Sequence, residues 1–372
     1  MKIKYRVSVP YINKEEIKNV NIALKNNEIS GFFGRFILKF ERKFASFCNT
    51  KYALSVTSGT TAFHLGLLAV GIKKGDHVIV SSLTNMATIF AILYVGAVPI
   101  AIDIEEDTFN LDVSSIEKKI TKKTKAILAV HLFGHPAEMS KILKLAKKYK
   151  LKVIEDCAEA HGAEYKGKKV GSFGDAGCFS LYANKIISTG EGGVVTFNSY
   201  SYYNKAKNLK ELSFGKKNKF MHQDIGYNYR MTNIQAAIGC AQMKKINFII
   251  RQKIKIAKLY DKYLAKNPLI IRPYTKPNFK NVFWMYCISI PKFQNLKRKK
   301  LMRKLLKKGI ETREMFVPCN LQNIFLKNQL FERKECPRAN IVAFNSFYLP
   351  SGMDLREKDI RFICNELNSL VA

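Results

Sequence analysis

Residues 55–62 (SVTSGTTA) combine hydroxyl side chains with a glycine at a point where a strand pattern turns directly into a helical one. Amide N–H groups at a helix start bind phosphate and other anions, aided by nearby hydroxyls and by the helix dipole. Ser58, Gly59 and Thr60 are therefore candidate ligands of an anion. Taken alone, the segment is more simply explained as a Ser/Thr helix cap.

A second segment, residues 153–162 (VIEDCAEAHG), carries a carboxylate directly after a β-branched, apolar run. That run predicts a parallel strand, and ligands of open α/β sheets bind beyond the carboxyl ends of such strands. Asp156 could there pair with a protonated heterocyclic nitrogen. A helix cap is the alternative role for this side chain.

The third segment, residues 180–185 (SLYANK), ends on a lysine and is followed by TGEGG at 189–193. Desolvation in an apolar, glycine-rich setting lowers a lysine pKa, so that the neutral amine of Lys185 could attack an aldehyde. An isolated lysine in so basic a chain would be a surface charge. The three segments together nevertheless supply what pyridoxal 5′-phosphate (PLP) needs: a phosphate site, a carboxylate and an amine.

The elements that must position these residues follow an alternating pattern. Apolar strand runs linked by helical patterns predict a mostly parallel sheet covered on both faces by helices, with one mixed or antiparallel edge. The predicted strands are 53–56, 77–81, 98–104, 126–131, 152–155, 177–182 and 193–197, and the predicted helices are 60–70, 87–95, 113–120 and 139–150.

A long helical pattern runs from Thr232 to about Lys266 and ends before Pro268. Beyond it, a strand pattern at 282–290 and helical patterns at 295–308 and 355–370 are enough for a small α/β domain. We therefore expect a large cofactor-binding domain over residues 1–240. A linker helix and a small C-terminal domain should occupy 241–372.

Charge and composition bear on the class of protein. The chain has 63 Lys and Arg against 29 Asp and Glu in 372 residues, a net charge of +34, with 47% apolar side chains. Such an apolar share excludes a disordered polybasic chain. The lysines fall on helical patterns such as 141–150 and 297–308, which indicates solvated helix faces, so nucleic acid is not an expected partner.

Three further features limit the possibilities. The eight cysteines are scattered without a CxxC pair, which is typical of buried thiols in a reducing cytoplasm. Residues 77–102 carry no formal charge, but polar residues, Gly96 and Pro99 interrupt them, so no membrane span is predicted. His131 and His135 lie in a loop pattern with Pro136, and no metal is expected.

The chain resembles the DegT family of PLP-dependent sugar aminotransferases from about residue 30 to its C-terminus. The resemblance rests on TSGTTA, VIEDCAEAHGAEYKGKKVGSFGDAGCFSLYANK, TGEGG and GYNYRMTN at 226–233. It implies the aspartate aminotransferase fold (fold type I), PLP as cofactor, and a homodimer with shared active sites. It also implies these roles: Lys185 as Schiff-base lysine and proton shuttle, Asp156 on the pyridinium nitrogen, Ser58, Gly59, Thr60 and Ser180 on the phosphate, Glu159 beside the ring, and Asn228 reaching into the phosphate site of the neighbouring subunit.

Within the family, DCAEAHG, ANK and IGYNYRMTNIQAAIG are most similar to the enzymes that aminate GDP-4-keto-6-deoxy-D-mannose to GDP-perosamine. UDP- and dTDP-linked keto sugars remain alternatives, and L-glutamate, yielding 2-oxoglutarate, is the expected donor. Arg230, Asn85 and Asn320 are candidate substrate contacts; Asn320 stands where many relatives have His. A related class that removes a sugar hydroxyl has His at the Schiff-base position, so Lys185 argues against that activity.

Overall fold

A seven-stranded sheet forms the centre of the computed structural model, which describes residues 3–215, 217–222 and 224–371. Its strand order is β1-β9-β8-β5-β4-β2-β3, and a short hairpin, β6 and β7, belongs to a separate small sheet. The first nine strands are β1 Tyr52–Val56, β2 His77–Ser81, β3 Val98–Ile102, β4 Thr124–Val130, β5 Lys152–Asp156, β6 Glu164–Tyr165, β7 Lys168–Lys169, β8 Ala176–Ser180 and β9 Gly193–Phe197.

Strand direction in the central sheet agrees with the prediction of a mostly parallel sheet. Strands β3, β2, β4, β5 and β8 pair in parallel, whereas β9 runs antiparallel to both β8 and β1. The antiparallel edge was expected, and the early strand β1 forms its outermost member. The carboxyl ends of the parallel strands therefore meet along one side of the sheet.

Helices cover the sheet because each buries an apolar stripe against it. In the basic helix α5, Ile142 and Ala146 are buried while Lys141, Lys144 and Lys148 are exposed, as the pattern of solvated lysines predicted. The first seven helices are α1 Lys14–Lys25, α2 Arg35–Cys48, α3 Gly59–Ala69, α4 Met86–Tyr94, α5 Met139–Tyr149, α6 Tyr200–Lys210 and α7 Asn233–Leu264.

The prediction of a helix over 113–120 is wrong. Two short 3₁₀ turns, Val113–Ser115 and Glu117–Lys119, occupy this segment. The Asp112 side chain accepts hydrogen bonds from the Ser114 amide and from the hydroxyls of Ser114 and Ser115. Such local bonds between side chains and backbone compete with a regular α-helix.

The C-terminal third forms a second, three-stranded antiparallel sheet of order β11-β13-β12, while β10 joins the β6–β7 hairpin. Its apolar core is centred on side chains such as Tyr260, Tyr286 and Phe347. The long helix α7 contributes Ile246 to the main core and Tyr260 to this one. The elements are β10 Phe279–Lys280, β11 Tyr286–Ser289, α8 Asn295–Lys307, β12 Arg313–Glu314, α9 Asn323–Lys327, α10 Pro337–Asn345, β13 Ser346–Leu349 and α11 Glu357–Val371.

Two smaller expectations can be compared with the structure. All eight cysteines are buried free thiols, as predicted for small apolar side chains. Across the described ranges, none of the helices combines the length and apolar character needed to cross a bilayer. The uncharged stretch 77–102 instead forms β2, α4 and β3.

Candidate active site

A cavity of about 410 Å³ opens at the carboxyl ends of β1, β2, β5 and β8. Ligands of parallel α/β sheets bind at this position because the loops there converge. One side of the cavity consists of strand ends and the start of α3, and the other comes from the C-terminal third of the chain. The residues lining it include Ser58, Gly59, Thr60, Asn85, Thr88, Asp156, Glu159, Ser180, Tyr182, Asn184, Lys185, Trp284, Arg313, Phe316 and Tyr348.

The start of α3 provides an anion site in this cavity. Ser58 caps the helix by accepting from the Thr61 amide at 3.1 Å. Gly59 and Thr60 are the first two residues of the helix. Their amides donate no hydrogen bond to the described part of the chain. A Cβ on Gly59 would lie 2.7 Å from the Ser180 Cβ, so only glycine allows this close approach. Free amides and hydroxyls at a helix start suit a phosphate group.

Asp156, the last residue of β5, lies on the floor of the cavity and is almost fully buried. Its carboxylate accepts from the Thr88 hydroxyl at 2.7 Å and from the Ala158 amide at 3.0 Å. Burial raises the pKa of Asp156, while those two donors and the nearby Lys185 oppose the rise. A buried carboxylate held by donors on both oxygens is suited to a cationic partner.

Lys185 enters the cavity from the loop that follows β8. Its Nζ lies 3.7 Å from Glu159 Oε1 and 4.1 Å from the centre of the Trp284 ring. Burial lowers the pKa of Lys185, and the carboxylates of Glu159 and Asp156 oppose this effect. A larger fraction of the amine is therefore in the neutral, nucleophilic form than for an exposed lysine.

Glu159 lines the same cavity, close to the Lys185 amine. Burial raises its pKa to about 7, with Lys185 opposing, and its Oε2 accepts from the Phe133 amide at 2.9 Å. Phe133 adopts φ +54°, in the left-handed region that a bulky side chain rarely occupies. This backbone conformation aims the amide at Glu159 and is typical of strain stored at functional sites.

The donor set fits PLP. An anion site, a buried carboxylate and a lysine amine of lowered pKa converge on one cavity, and PLP presents a phosphate, a pyridine nitrogen and an aldehyde to such groups. The predicted residues Ser58, Gly59, Thr60, Asp156, Glu159, Ser180 and Lys185 all line this cavity.

The remaining predicted site residues are more scattered. Asn85 lines the cavity, where its side chain caps α4 by accepting from the Ala87 amide. Asn228 is exposed and outside the lining. Arg230 also lies outside it, with its guanidinium 4.8 Å from the Phe32 ring centre. Asn320 is buried away from the cavity and donates to the Arg333 carbonyl and to Asn340.

Several lining residues were missed by the sequence reasoning. Thr88, in the first turn of α4 and outside the quoted motifs, donates to Asp156, and Arg313 brings a guanidinium from the C-terminal sheet. Trp284, Phe316 and Tyr348 form an aromatic side of the cavity. The single tryptophan of the chain was the one signal available, because an isolated tryptophan amid an apolar strand pattern could have been singled out.

His131, Glu155 and Cys157 form a buried group whose ligand atoms lie within 4.8 Å of one another. His131 Nε2 lies 3.1 Å from Glu155 Oε2, and its Nδ1 accepts from the Ala137 amide. The Glu155 carboxylate also accepts the amides of Gly171, Phe173 and Gly174. These hydrogen bonds explain the cluster as a means of fixing the loop before β8.

Comparison with known proteins places this geometry in a family. Residues 10–368 match the model of the DegT/DnrJ/EryC1/StrS aminotransferase family. The chain is 42% identical over 360 residues to a GDP-perosamine synthase of Escherichia coli O157:H7, covering 96% of each chain. It is 37% identical over 366 residues to one of Caulobacter vibrioides, covering 98% of each.

Solved structures agree with the sequence comparison. A putative sugar aminotransferase from Streptococcus pneumoniae in its PLP form has 25% sequence identity to the chain and superposes with a TM-score of 0.93, covering 100% of this chain and 99% of that one. Fold and sequence lead to the same assignment. The chain belongs to the DegT/DnrJ/EryC1/StrS aminotransferase family and has the fold of its PLP-dependent sugar aminotransferases.

Proposed function

We propose that this protein transfers the amino group of L-glutamate to the keto carbon of GDP-4-keto-6-deoxy-D-mannose, giving GDP-perosamine and 2-oxoglutarate. As a family member the chain is a PLP-dependent nucleotide-sugar aminotransferase. The convergence of Lys185, Asp156 and the α3 start on one cavity carries the chemistry. The choice of sugar is supported by near full-length similarity to two proteins named GDP-perosamine synthase.

Bound PLP supplies an aldehyde that carries the amino group and a ring that withdraws electrons from the reacting carbon. Lys185 is the amine proposed to bond to that aldehyde. Once free, its Nζ would take the proton from the substrate carbon that bears the transferred nitrogen and pass it to the former aldehyde carbon of the cofactor, acting first as general base and then as general acid. Its lowered pKa favours the base form that this transfer needs.

Asp156 is proposed to keep the ring nitrogen protonated. The Thr88 hydroxyl and the Ala158 amide each donate to one oxygen of this buried carboxylate. A cationic partner such as a protonated ring nitrogen would balance its negative charge. The phosphate is proposed to lie against Ser58, Gly59, Thr60 and Ser180. Glu159, hydrogen-bonded to the Phe133 amide, is proposed to lie beside the ring and to receive the Lys185 amine when it is free.

Substrate contacts are proposed for Asn85 and Arg313, which line the cavity. Arg313 is half-exposed, with a loose ion pair of 3.7 Å to Glu311, so its guanidinium is available to an anionic substrate. Arg230 and Asn320 remain predictions from the resemblance. The division into a large domain, 1–240, and a linker helix with a small domain, 241–372, is supported by the separate apolar core of the C-terminal sheet.

A homodimer with shared active sites is also proposed. Asn228 is exposed and lies beside a segment whose large apolar side chains face solvent: Phe220 is 77%, Met221 66% and Ile225 84% exposed. Apolar exposure on this scale is typical of surfaces that are buried by a partner. A second copy could place Asn228 at the phosphate site of its neighbour, and two-fold pairing is the commonest oligomer.

The substrate proposal is tested by incubating the protein with GDP-, UDP- and dTDP-linked 4-keto-6-deoxy sugars plus L-glutamate, with mass detection of the products. We expect amination of the GDP sugar at the highest catalytic efficiency and no product with Lys185→Ala. Preference for a UDP or dTDP sugar would replace the proposed substrate while leaving the aminotransferase reaction intact.

The shared site is tested by complementation. Lys185→Ala and Asn228→Ala subunits, each inactive as homodimers, are mixed and allowed to exchange. Because one of the two sites in a mixed dimer would have both residues intact, activity should recover. Verified exchange without recovery would show that each site uses one chain only.

A further inference from the structure

Trp284 is the single tryptophan of the chain and lies just before β11, far in sequence from the motifs around Lys185. It is 3% exposed and lines the active-site cavity. The Lys185 amine lies 4.1 Å from its ring centre, within the range of a cation–π contact. An aromatic face from the C-terminal third thus meets the reactive amine directly.

The indole also contacts the main chain next to this lysine. Trp284 Nε1–H donates to the carbonyl of Asn184, the residue before Lys185, at 2.7 Å. The ring therefore fixes the backbone from which the lysine side chain extends, while its face contacts the end of that side chain. One contact at the main chain before Lys185 and one at the end of its flexible side chain together restrict the positions available to the amine.

Trp284 is itself held on several sides. Its ring stacks on Phe133 with centres 6.3 Å apart and an angle of 11° between planes, and its amide donates to the Phe133 carbonyl at 3.0 Å. Its own carbonyl accepts from the buried Lys253 amine of α7 at 3.2 Å. Phe133 also donates to Glu159, so one residue orients both groups that contact the Lys185 amine.

We propose that Trp284 is a positioning residue for Lys185: its indole face receives the lysine amine whenever that amine is not bonded to the cofactor, and its N–H fixes the preceding carbonyl. The free amine then rests between the Trp284 face and Glu159 Oε1, in the cavity proposed to hold the cofactor. The catalytic role of this contact rests on the proposed function of Lys185, whereas the contact between the amine and the indole is observed independently of that function.

Several titratable side chains surround the Lys185 amine: Asp156, Glu159 and His161 interact with its charge, and Arg313, Glu314 and Tyr348 line the same cavity. Glu159 and Asp156 favour the ammonium form, whereas the buried His161, whose pKa burial lowers to about 3, is neutral at the pH of any assay. Burial raises the pKa of Glu159 to about 7, so this carboxyl is partly neutral near that pH. The Trp284 face can therefore supply attraction for the ammonium that a half-protonated Glu159 does not.

The first experiment uses the fluorescence of cofactor-stripped full-length protein, in which all tryptophan emission comes from Trp284. Emission is recorded against pH for the wild type, Lys185→Met and Glu159→Gln; Trp284→Phe supplies the blank. We expect a step in the wild type that Lys185→Met lacks, because the ammonium over the ring perturbs the indole only while it is charged. Identical profiles for wild type and Lys185→Met would overturn the proposal.

The second experiment measures the reactivity of the amine in stripped protein, by competitive acetylation of Lys185 against pH with peptide mass analysis. Trp284→Leu should lower the midpoint by about half to one pH unit, since the lost cation–π attraction had favoured the charged form. Trp284→Phe, which keeps a ring, should shift it less. Phe316→Leu removes a different ring stacked on Phe133 and should leave the midpoint unchanged.

Equal shifts in Trp284→Leu and Phe316→Leu would reduce the effect to general packing and overturn the proposal. Retained far-ultraviolet circular dichroism establishes that each variant is folded. If both experiments detect the contact but borohydride links the cofactor to another lysine, the proposed role of Lys185 is wrong and the contact is still supported. If borohydride links the cofactor to Lys185 but neither experiment detects the contact, the proposed role of Trp284 is wrong and that of Lys185 is still supported.

Discussion

The two sides of the cavity are built in different ways. The motif side, defined as Ser58, Gly59, Thr60, Asp156, Ser180 and Lys185, consists of residues at or shortly after strand ends of the central sheet. The aromatic side, defined as Trp284, Arg313, Phe316 and Tyr348, comes from the C-terminal third and reaches the cavity through tertiary packing. Both sides line the same space.

The two sides differ in whether the backbone or the side chains present groups to the cavity. On the motif side, the backbone itself supplies ligands: the α3 amides, the Ala158 amide on Asp156 and the turn that carries Lys185. On the aromatic side, the groups that face the cavity are side chains, and Arg313 is about half exposed. We expect changes on the motif side to affect the chemical step and changes on the aromatic side to affect binding or orientation.

The largest effect is expected for Lys185→Ala, at the centre of the motif side. Loss of both the nucleophilic amine and the proton shuttle should reduce transamination by at least about 10⁴-fold. Single-turnover assays measure the loss, and borohydride reduction followed by peptide mapping should place the cofactor on Lys185 in the wild type. A pyridoxyl group on any other lysine would show that the motif side has been misassigned.

Asp156→Asn should come next, with a fall in kcat of about 10²- to 10⁴-fold, the range for one positioned proton-holding group. The amide is nearly the same size but carries no charge, so the ring nitrogen would lose its proton. Cofactor affinity should change much less than kcat. A variant that loses cofactor but reacts normally once saturated would assign Asp156 to binding instead.

Arg313→Ala tests the aromatic side. Removing a charge-assisted hydrogen bond to an anion should raise KM for the nucleotide sugar or glutamate by about 10- to 100-fold and change kcat little. Titrating each substrate separately identifies which anion Arg313 contacts, and Arg313→Lys should recover part of the loss. An equal fall in kcat with unchanged KM would contradict the division between the two sides.

Glu159 lines the same cavity outside both defined sides, and its pKa predicts a pH dependence of stability. Its folded-state pKa of about 7 exceeds the ordinary 4.5, so the folded protein keeps a proton that the unfolded chain has lost. This stabilisation is present below pH 4.5 and disappears as the pH rises to about 7, a change of up to about 3 kcal/mol. Urea unfolding of stripped Glu159→Gln should show a flatter dependence between pH 5 and 8, and an unchanged slope would refute the assignment.

The smallest effect concerns the net charge of +34, which belongs to neither side. A positive field accelerates the approach of a dianionic nucleotide sugar, and salt screens this field. As ionic strength rises from about 0.01 to 0.15 M, kcat/KM should therefore fall by about a few-fold. Duplex DNA should bind only weakly and be released near physiological salt. DNA that competes with the nucleotide sugar at physiological salt would point to a nucleic-acid function.

Much of the fold could be predicted because its signals are local. The boundaries of β2 and β9 and the start of α8 were predicted as observed, since apolar runs bounded by turn residues define them. The segment 113–120 was misjudged because hydrogen bonds from the Asp112 side chain replace helical ones. The short strands β12 and β13 depend on pairing with each other across 33 to 35 positions of the chain, which no local pattern encodes.

The sequence by itself determined the motif side, because a strand end followed by a turn fixes where Asp156, Lys185 and the α3 amides point. Only the tertiary structure decided what surrounds them. Thr88 meets Asp156 because α4 packs over the sheet, and Trp284 meets Lys185 because the carbonyl and the ring of Phe133 hold it there. These contacts join residues 68 and 99 positions apart, and contacts at such separations depend on how whole elements pack.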